Sequence, residues 1–375
     1  MATGLTQAVV ATQVAGIGAL PVLPQLPIVG VGLEEFLLLA ITALAGGAFG
    51  AAIGALPAFI FTGFLVFLGE GIAILQREIG TELAVTSGEI ATGLTGVIGF
   101  GPITGPHIAF AGGVAASAYA GKKYPEMGAA DGEYHFGKDI TYAFGTKPDI
   151  LAVGAVFGLL GMVIARVSGG LGVPTDGIAL SVVLTAVIAR VVFDYPVIGR
   201  PAGDGLLDMS PFERGDTKTL TDGGVNVSRP ATEPWLPHQY EWSGVTVIGV
   251  VGGVLAGFIW LKTGSIFLGY AISAMSLLFL QLGVEKIPVT HHITLMGSVG
   301  AVVADTLVAS TPLIALVAGL FGAISGLIGE VTQRVFYSHS GTHVDPPAMA
   351  IAIVMLIVGV LSLLNVLSTA GYLAL

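Results

Sequence analysis

Eight stretches of this chain, 35–55, 57–76, 149–168, 176–197, 244–262, 265–283, 312–333 and 346–367, are apolar almost without interruption. A helix needs about 20 apolar residues to cross a bilayer, so each stretch predicts a transmembrane helix. The runs are continuous rather than alternating, which argues against the strands of a membrane barrel. Two shorter stretches rich in Gly and Ala, 106–121 and 291–308, follow prolines and predict short, broken helices. The expected fold class is an all-α integral membrane protein with about ten transmembrane helices. Residues 1–33 are also apolar but contain Pro21, Pro24 and Pro27 and lack a positive leading segment. They read as an interfacial segment rather than a cleaved leader.

The two halves resemble each other in order. Gly46-Gly47 aligns with Gly252-Gly253, and Ile60-Phe61-Thr62-Gly63 with Ile266-Phe267-Leu268-Gly269. Pro102-Ile103-Thr104 and His107-Ile108 align with Pro288-Val289-Thr290 and His292-Ile293. Phe157-Gly158 aligns with Phe321-Gly322, and Gly172 through Asp176 with Gly341 through Asp345. Successive offsets of 206, about 185, 164 and 169 describe one repeat with roughly 21 extra residues in the first half before the short stretch and roughly 21 more after it, in the polar stretch 122–147. The expected organisation is an apolar N-terminal segment at 1–33, a first membrane repeat at 34–198, a polar linker at 199–242 and a second repeat at 243–375. The linker carries seven acidic and four basic residues and no periodic apolar face, which makes it too polar for the membrane.

If the stretches at 106–121 and 291–308 cross, each repeat has five spans and the two are inverted. If they are re-entrant, each has four and the repeats are parallel. Lys and Arg divide ten to three between the two sides in either case, so the positive-inside rule does not choose. Both arrangements put 122–147 and the linker on the positive, cytoplasmic side. The five-span inverted reading is preferred, because Gly112 and Ala116 give a small-residue face for close packing inside a bundle.

Composition narrows the function. Hydrophobic residues make up 54% and charged residues 10%, with a mean hydropathy of +0.90, which excludes a soluble enzyme. The net charge of −10 argues against a nucleic-acid partner, and the absence of cysteine removes thiolate chemistry. The expectation is a channel or secondary transporter in the cell membrane, a homo-oligomer carrying a small polar or anionic solute between its two repeats. Thr104, His107, Thr290, His291 and His292 precede the short helices, where freed N–H groups, hydroxyls and imidazoles suit such a solute. Glu70, inside a span, and Asp305 are candidates for coupling to a proton or cation. Arg190 and Asp194, four apart, have the spacing of a helical ion pair. Trp235, Tyr240 and Trp242 read as anchors at the membrane surface. A non-catalytic membrane scaffold is the plainest alternative. The five-plus-five plan is similar to that of urea channels in architecture alone.

One local motif points elsewhere. His339-Ser340-Gly341-Thr342-His343-Val344-Asp345-Pro346-Pro347 resembles the HxGTHxDxP signature of the metal-dependent cyclase and kynurenine formamidase family. The resemblance implies that His339, His343 and Asp345 hold a divalent metal such as zinc, and hence a membrane-bound metal-dependent enzyme. It covers nine residues, and Met349 stands where that family carries a further histidine. Asp345 and its repeat partner Asp176 also each precede a span, where either can serve as a helix cap.

Overall fold

A computed structural model describes residues 25–79, 93–128, 134–222 and 225–375. Most of the expected N-terminal segment, and Asp131 and Glu133 of the polar insert, lie outside the described residues. Ten helices of 13 residues or more are present among them. In the first half they are α1 (Leu33–Ile53), α2 (Ala55–Glu78), α3 (Ala111–Lys123), α4 (Pro148–Gly170) and α5 (Gly177–Val192). In the second they are α6 (Trp242–Thr263), α7 (Leu268–Gln281), α8 (His291–Asp305), α9 (Thr311–Thr332) and α10 (Pro346–Leu363). Six of these, α1, α2, α4, α6, α9 and α10, are long and apolar enough to cross a membrane. They carry many exposed large apolar side chains, among them Leu38, Ile41, Val247 and Leu316, each about two-thirds exposed. Water penalises such a surface and lipid does not. The protein is a helical membrane protein.

Local chemistry sets the helix ends. Gly54, at a φ of 97°, is the single residue between α1 and α2, and it splits one long apolar run into two helices. Pro106 opens a π-helical turn, Pro106–Phe110, that runs directly into α3. At 15 residues α8 is about 22 Å long, short of the roughly 30 Å hydrocarbon core. Both α3 and α8 are buried along most of their length, so they lie inside the bundle rather than against lipid.

Residues aligned between the two halves pack alike. Gly47 on α1 abuts Gly158 on α4, and its equivalent Gly253 on α6 abuts Gly322 on α9. Gly46 faces the Ile108 side chain just as Gly252 faces that of Ile293, and Gly112 meets Gly47 as Gly297 meets Gly253. A Cβ at any of these positions collides with backbone or a packed side chain. Gly and Ala therefore let helices approach at backbone contact, the small-residue packing that works between helices in lipid.

Equivalent helices from the two halves meet antiparallel. Along α2, Gly63 faces Ala274, Glu70 bonds Ser265 and Arg77 bonds the Thr263 carbonyl, so the partner numbers fall as α2 advances. Along α5, Pro174 faces Gly359, Thr175 bonds the Ala352 carbonyl and Arg190 bonds the Thr342 carbonyl, and again the order reverses.

The linker is more structured than its composition suggests. It holds a helical turn, Ser210–Glu213, and an antiparallel hairpin of β1 (Thr217–Asp222) and β2 (Val225–Pro230). Its polar residues also reach into the bundle. Arg334 is clamped by Glu330 at 2.6 Å and by the carbonyls of Leu207 and Tyr240, and stacks on Trp242.

The matched contacts generate a test. Gly322→Val places a branched side chain against Gly249 and Gly253. It is expected to cost about 1–3 kcal/mol, read as a lower unfolding temperature in detergent. Gly71→Ala, on α2 with nothing within reach, is expected to be neutral or stabilising by about 0.5–1 kcal/mol. Equal effects of the two substitutions would contradict the packing.

Candidate functional site

A cavity of about 980 Å³ lies between the two sets of helices. Leu56 and Phe59 of α2, Pro106 and Phe110 before α3, and Val182 of α5 form the wall on one side. Tyr270 and Leu277 of α7, His291 and Leu295 of α8, and Ile351 of α10 form the other. The wall is mainly apolar with a few polar groups, the usual make-up of a small-molecule site.

Two of those groups are the repeat partners Asp176 and Asp345, and each does the same two jobs. Asp176 Oδ1 accepts the Ala179 N–H at 2.7 Å and so caps α5. Asp345 Oδ2 accepts the Ala348 N–H at 2.8 Å and caps α10. The second oxygen of each carboxylate faces a side chain. Tyr372 Oη donates to Asp176 Oδ2 at 2.6 Å, and His343 Nε2 lies 3.1 Å from Asp345 Oδ1.

His291 also lines the cavity. Its ring packs 4.6 Å from Phe59 and 5.8 Å from Tyr270, centroid to centroid, and its Nδ1 has no protein partner. The other expected pathway residues lie outside the lining, buried except for the half-buried Thr290. The Thr104 hydroxyl donates to the Ile98 carbonyl, and its own carbonyl accepts from Thr62. Thr290 pairs with Ser273. His107 and His292 are packed beneath Gly161 and Gly329, each with an unpartnered Nδ1. The structure thus brings His291 to the cavity and does not gather the Thr and His pairs around it.

The remaining candidates fall elsewhere. Glu70 accepts from Thr95 and Ser265 across the α2–α7 seam, away from the cavity wall. Asp305 ends α8 and is exposed. Arg190 is fully buried but does not pair with Asp194. It bonds Thr342 through both Oγ1 and the carbonyl, and the Val197 carbonyl. The helix stops at Val192 and Asp194 takes a φ of 56°, so helical spacing no longer relates the two. Trp235 lines the cavity, and Trp242, exposed at the start of α6, stacks on Arg334.

The metal-binding resemblance brings together two of its three residues. His343 and Asp345 meet, but His339 Nε2 turns to the Leu206 carbonyl at 3.0 Å. Among the described residues no three His, Asp or Glu side chains converge as metal ligands. Three residues spaced correctly in a loop still need the loop to fold them onto one point, and here the linker holds His339 aside.

The polar insert builds one end of the cavity with Tyr134, Phe136, Lys138 and Asp139. Lys138 Nζ lies 2.7 Å from Glu233 of the linker, both side chains about 98–99% buried, and 4.4 Å from the Tyr337 ring centre. No helical or strand periodicity marks these positions, so pattern reading misses them. Burial draws the Lys138 amine down to about 8, against the pull of Glu233. Burial alone would raise the Glu233 carboxyl, but the charges on Lys138 and Lys218 outweigh it and hold it below its ordinary value.

These features define a helical membrane protein with a polar-tipped, apolar-walled cavity between two five-helix halves. The chain belongs to the family of unknown function DUF7973, the match covering residues 28–375. No curated protein and no solved structure matches it.

Lys138→Met leaves the buried Glu233 carboxylate without its partner and is expected to cost about 3–5 kcal/mol, much of it recovered by adding Glu233→Gln. The free amine titrates near 10.5 and the folded one near 8, so between those values the unfolded chain holds the extra proton. Stability from this group therefore rises with pH across that window. Thermal unfolding at stepped pH should show a flatter profile for Lys138→Met than for the native chain, and an unchanged slope would refute the assignment.

Proposed function

We propose that this protein is a channel or secondary transporter that passes a small polar solute across a membrane, through the cavity between two inverted five-helix repeats. The observation that carries this reading is the cavity itself. Both halves wall it, and Asp176, Asp345, His343 and His291 reach it, as befits polar groups retained at membrane depth. The antiparallel meeting of α2 with α7 and of α5 with α10 supports inversion, since equivalent helices of parallel repeats run the same way.

The loop contacts favour five crossings over four. The segment before α10 lies beside the linker: the Glu233 N–H donates to the Ser338 carbonyl, and Gly341 contacts Gly137 of the insert. Re-entrant short helices would put that segment on the opposite side of the membrane. The capped N-termini of α5 and α10 weaken the case for an anion, because their own aspartates occupy the N–H groups that would bind one. A scaffold has no need for such a cavity.

The chain has no cysteine, so single cysteines report sidedness without background. Asp204, Glu285, Leu171 and Leu307 are exposed loop positions. With impermeant thiol reagents, cysteine at 204 and 285 is expected to label from one side, and at 171 and 307 from the other. Labelling of 307 together with 285 would instead support re-entrant helices. In proteoliposomes, Val182→Trp should fill the cavity and reduce solute flux severalfold with little change in unfolding temperature. Undiminished flux in that variant would rule out the cavity as the pathway.

A further inference from the structure

One end of the cavity is built differently from the rest. Phe100, Phe267, Tyr270 and Tyr372 all line it. Their rings form a connected cluster, with centroids 5.3 Å apart for Phe100–Phe267, 5.7 Å for Phe100–Tyr270 and 5.2 Å for Phe267–Tyr372. Asp176 closes the cluster, held by the Tyr372 hydroxyl and the Ala179 N–H. The rings come from both halves, Phe100 from the first and the other three from the second, so the cluster exists only where the repeats meet.

The Tyr372 hydroxyl and the Ala179 N–H both donate to Asp176, and neither donor carries a positive charge. The basic side chains on the cavity wall, Lys138 and Arg229, belong to the insert and the linker. Lys138 lies over the Tyr337 ring, which packs on His343, the partner of Asp345, whereas Thr175 contacts Ala352, seven residues further along α10. At 1.5 Å per residue, that separates the two aspartates by about 10 Å. A carboxylate in an apolar cavity with no cationic side chain beside it attracts a positive ligand. Aromatic faces around it add cation–π attraction and suit an ammonium group better than a hydrated metal ion, which needs several oxygen ligands. Leu56, Phe59, Val182 and Leu277 offer an apolar bed for the rest of such a molecule, and the unpartnered, buried Nδ1 of His291 offers it a hydrogen-bonding site.

We propose that the cavity's solute is an organic ammonium ion, its charged head held by Asp176 within the rings of Phe100, Phe267, Tyr270 and Tyr372, and its apolar body laid along α2 and α5. This inference rests on reading the cavity as a solute pathway, but the site can be tested without transport. The full chain in lipid nanodiscs is titrated calorimetrically with phenethylammonium, 2-phenylethanol and 3-phenylpropanoate, with empty nanodiscs subtracted. These probes share a ring and a short chain and differ in the charge of the head.

Phenethylammonium is expected to bind about tenfold or more tighter than the alcohol, with the carboxylate weakest. Asp176→Asn keeps an oxygen to cap α5 and should bring the ammonium down to the affinity of the alcohol. Phe267→Leu should weaken the ammonium severalfold and leave the alcohol nearly unchanged, a split that simple loss of folding does not produce. Binding of the carboxylate as tightly as the ammonium, binding of none of the three, or an unaltered ammonium affinity in Asp176→Asn would each overturn the proposal. Saturable ammonium binding without flux in proteoliposomes would leave the site standing and remove the transport reading. Flux of the alcohol or the carboxylate without ammonium preference would do the reverse.

Discussion

Backbone-to-backbone contact between helices governs this structure. In lipid the hydrophobic effect does not press helices together, so packing has to supply the attraction. Gly47 against Gly158 and Gly253 against Gly322 bring α1 to α4 and α6 to α9 with no side chain between them. The same glycine rows admit the short helices, because Gly112 seats on Gly47 and Gly297 on Gly253. Each half becomes a tight unit with its short helix inside. Between the halves, bulkier side chains of α2, α5, α7 and α10 line the cavity.

That cavity is shaped by how the halves meet. Two equivalent pairs, α2 with α7 and α5 with α10, cross the interface antiparallel, and α5 and α10 each contribute one aspartate-capped helix start to the cavity. Asp176 and Asp345 each do two things: one oxygen closes a helix end, and the other faces a side chain at the cavity. The capping half of that role explains why aspartate stands at both positions. The other half differs, with Tyr372 on one and His343 on its counterpart, and it is here that the symmetry of the halves breaks.

Much of the architecture was legible in the amino-acid sequence. The apolar runs locate all ten helices, because continuous hydrophobicity has few other uses, and the Gly46-Gly47 and Phe157-Gly158 matches mark the packing faces correctly. The caps at Asp176 and Asp345 follow from an acidic residue just ahead of an apolar run. The cavity was less legible. Thr104 and His107 stand where a broken helix ought to expose them, yet the chain folds back so that Thr104 satisfies itself on Ile98 and Thr62. His291 reaches the cavity while its neighbour His292 does not, a difference of helix phase that one register position decides. Lys138 and Glu233 are 95 residues apart in polar segments without periodicity, so only the folded chain shows them as a pair. Arg190 was misread for a related reason: spacing implies proximity only while a helix continues, and this one ends at Val192.

The insert at 122–147 gives the two ends of the cavity unequal closures. One end is closed by loops pinned through a buried ion pair, the other by aromatic rings and a tyrosine hydroxyl. Two identical half-channels would admit and release a molecule at the same rate from either face. Unequal closures cannot change where a gradient comes to rest, since equilibrium is blind to the path. In a transporter of the kind proposed, they set different rates of opening toward the two compartments, a kinetic polarity that matched ends would lack.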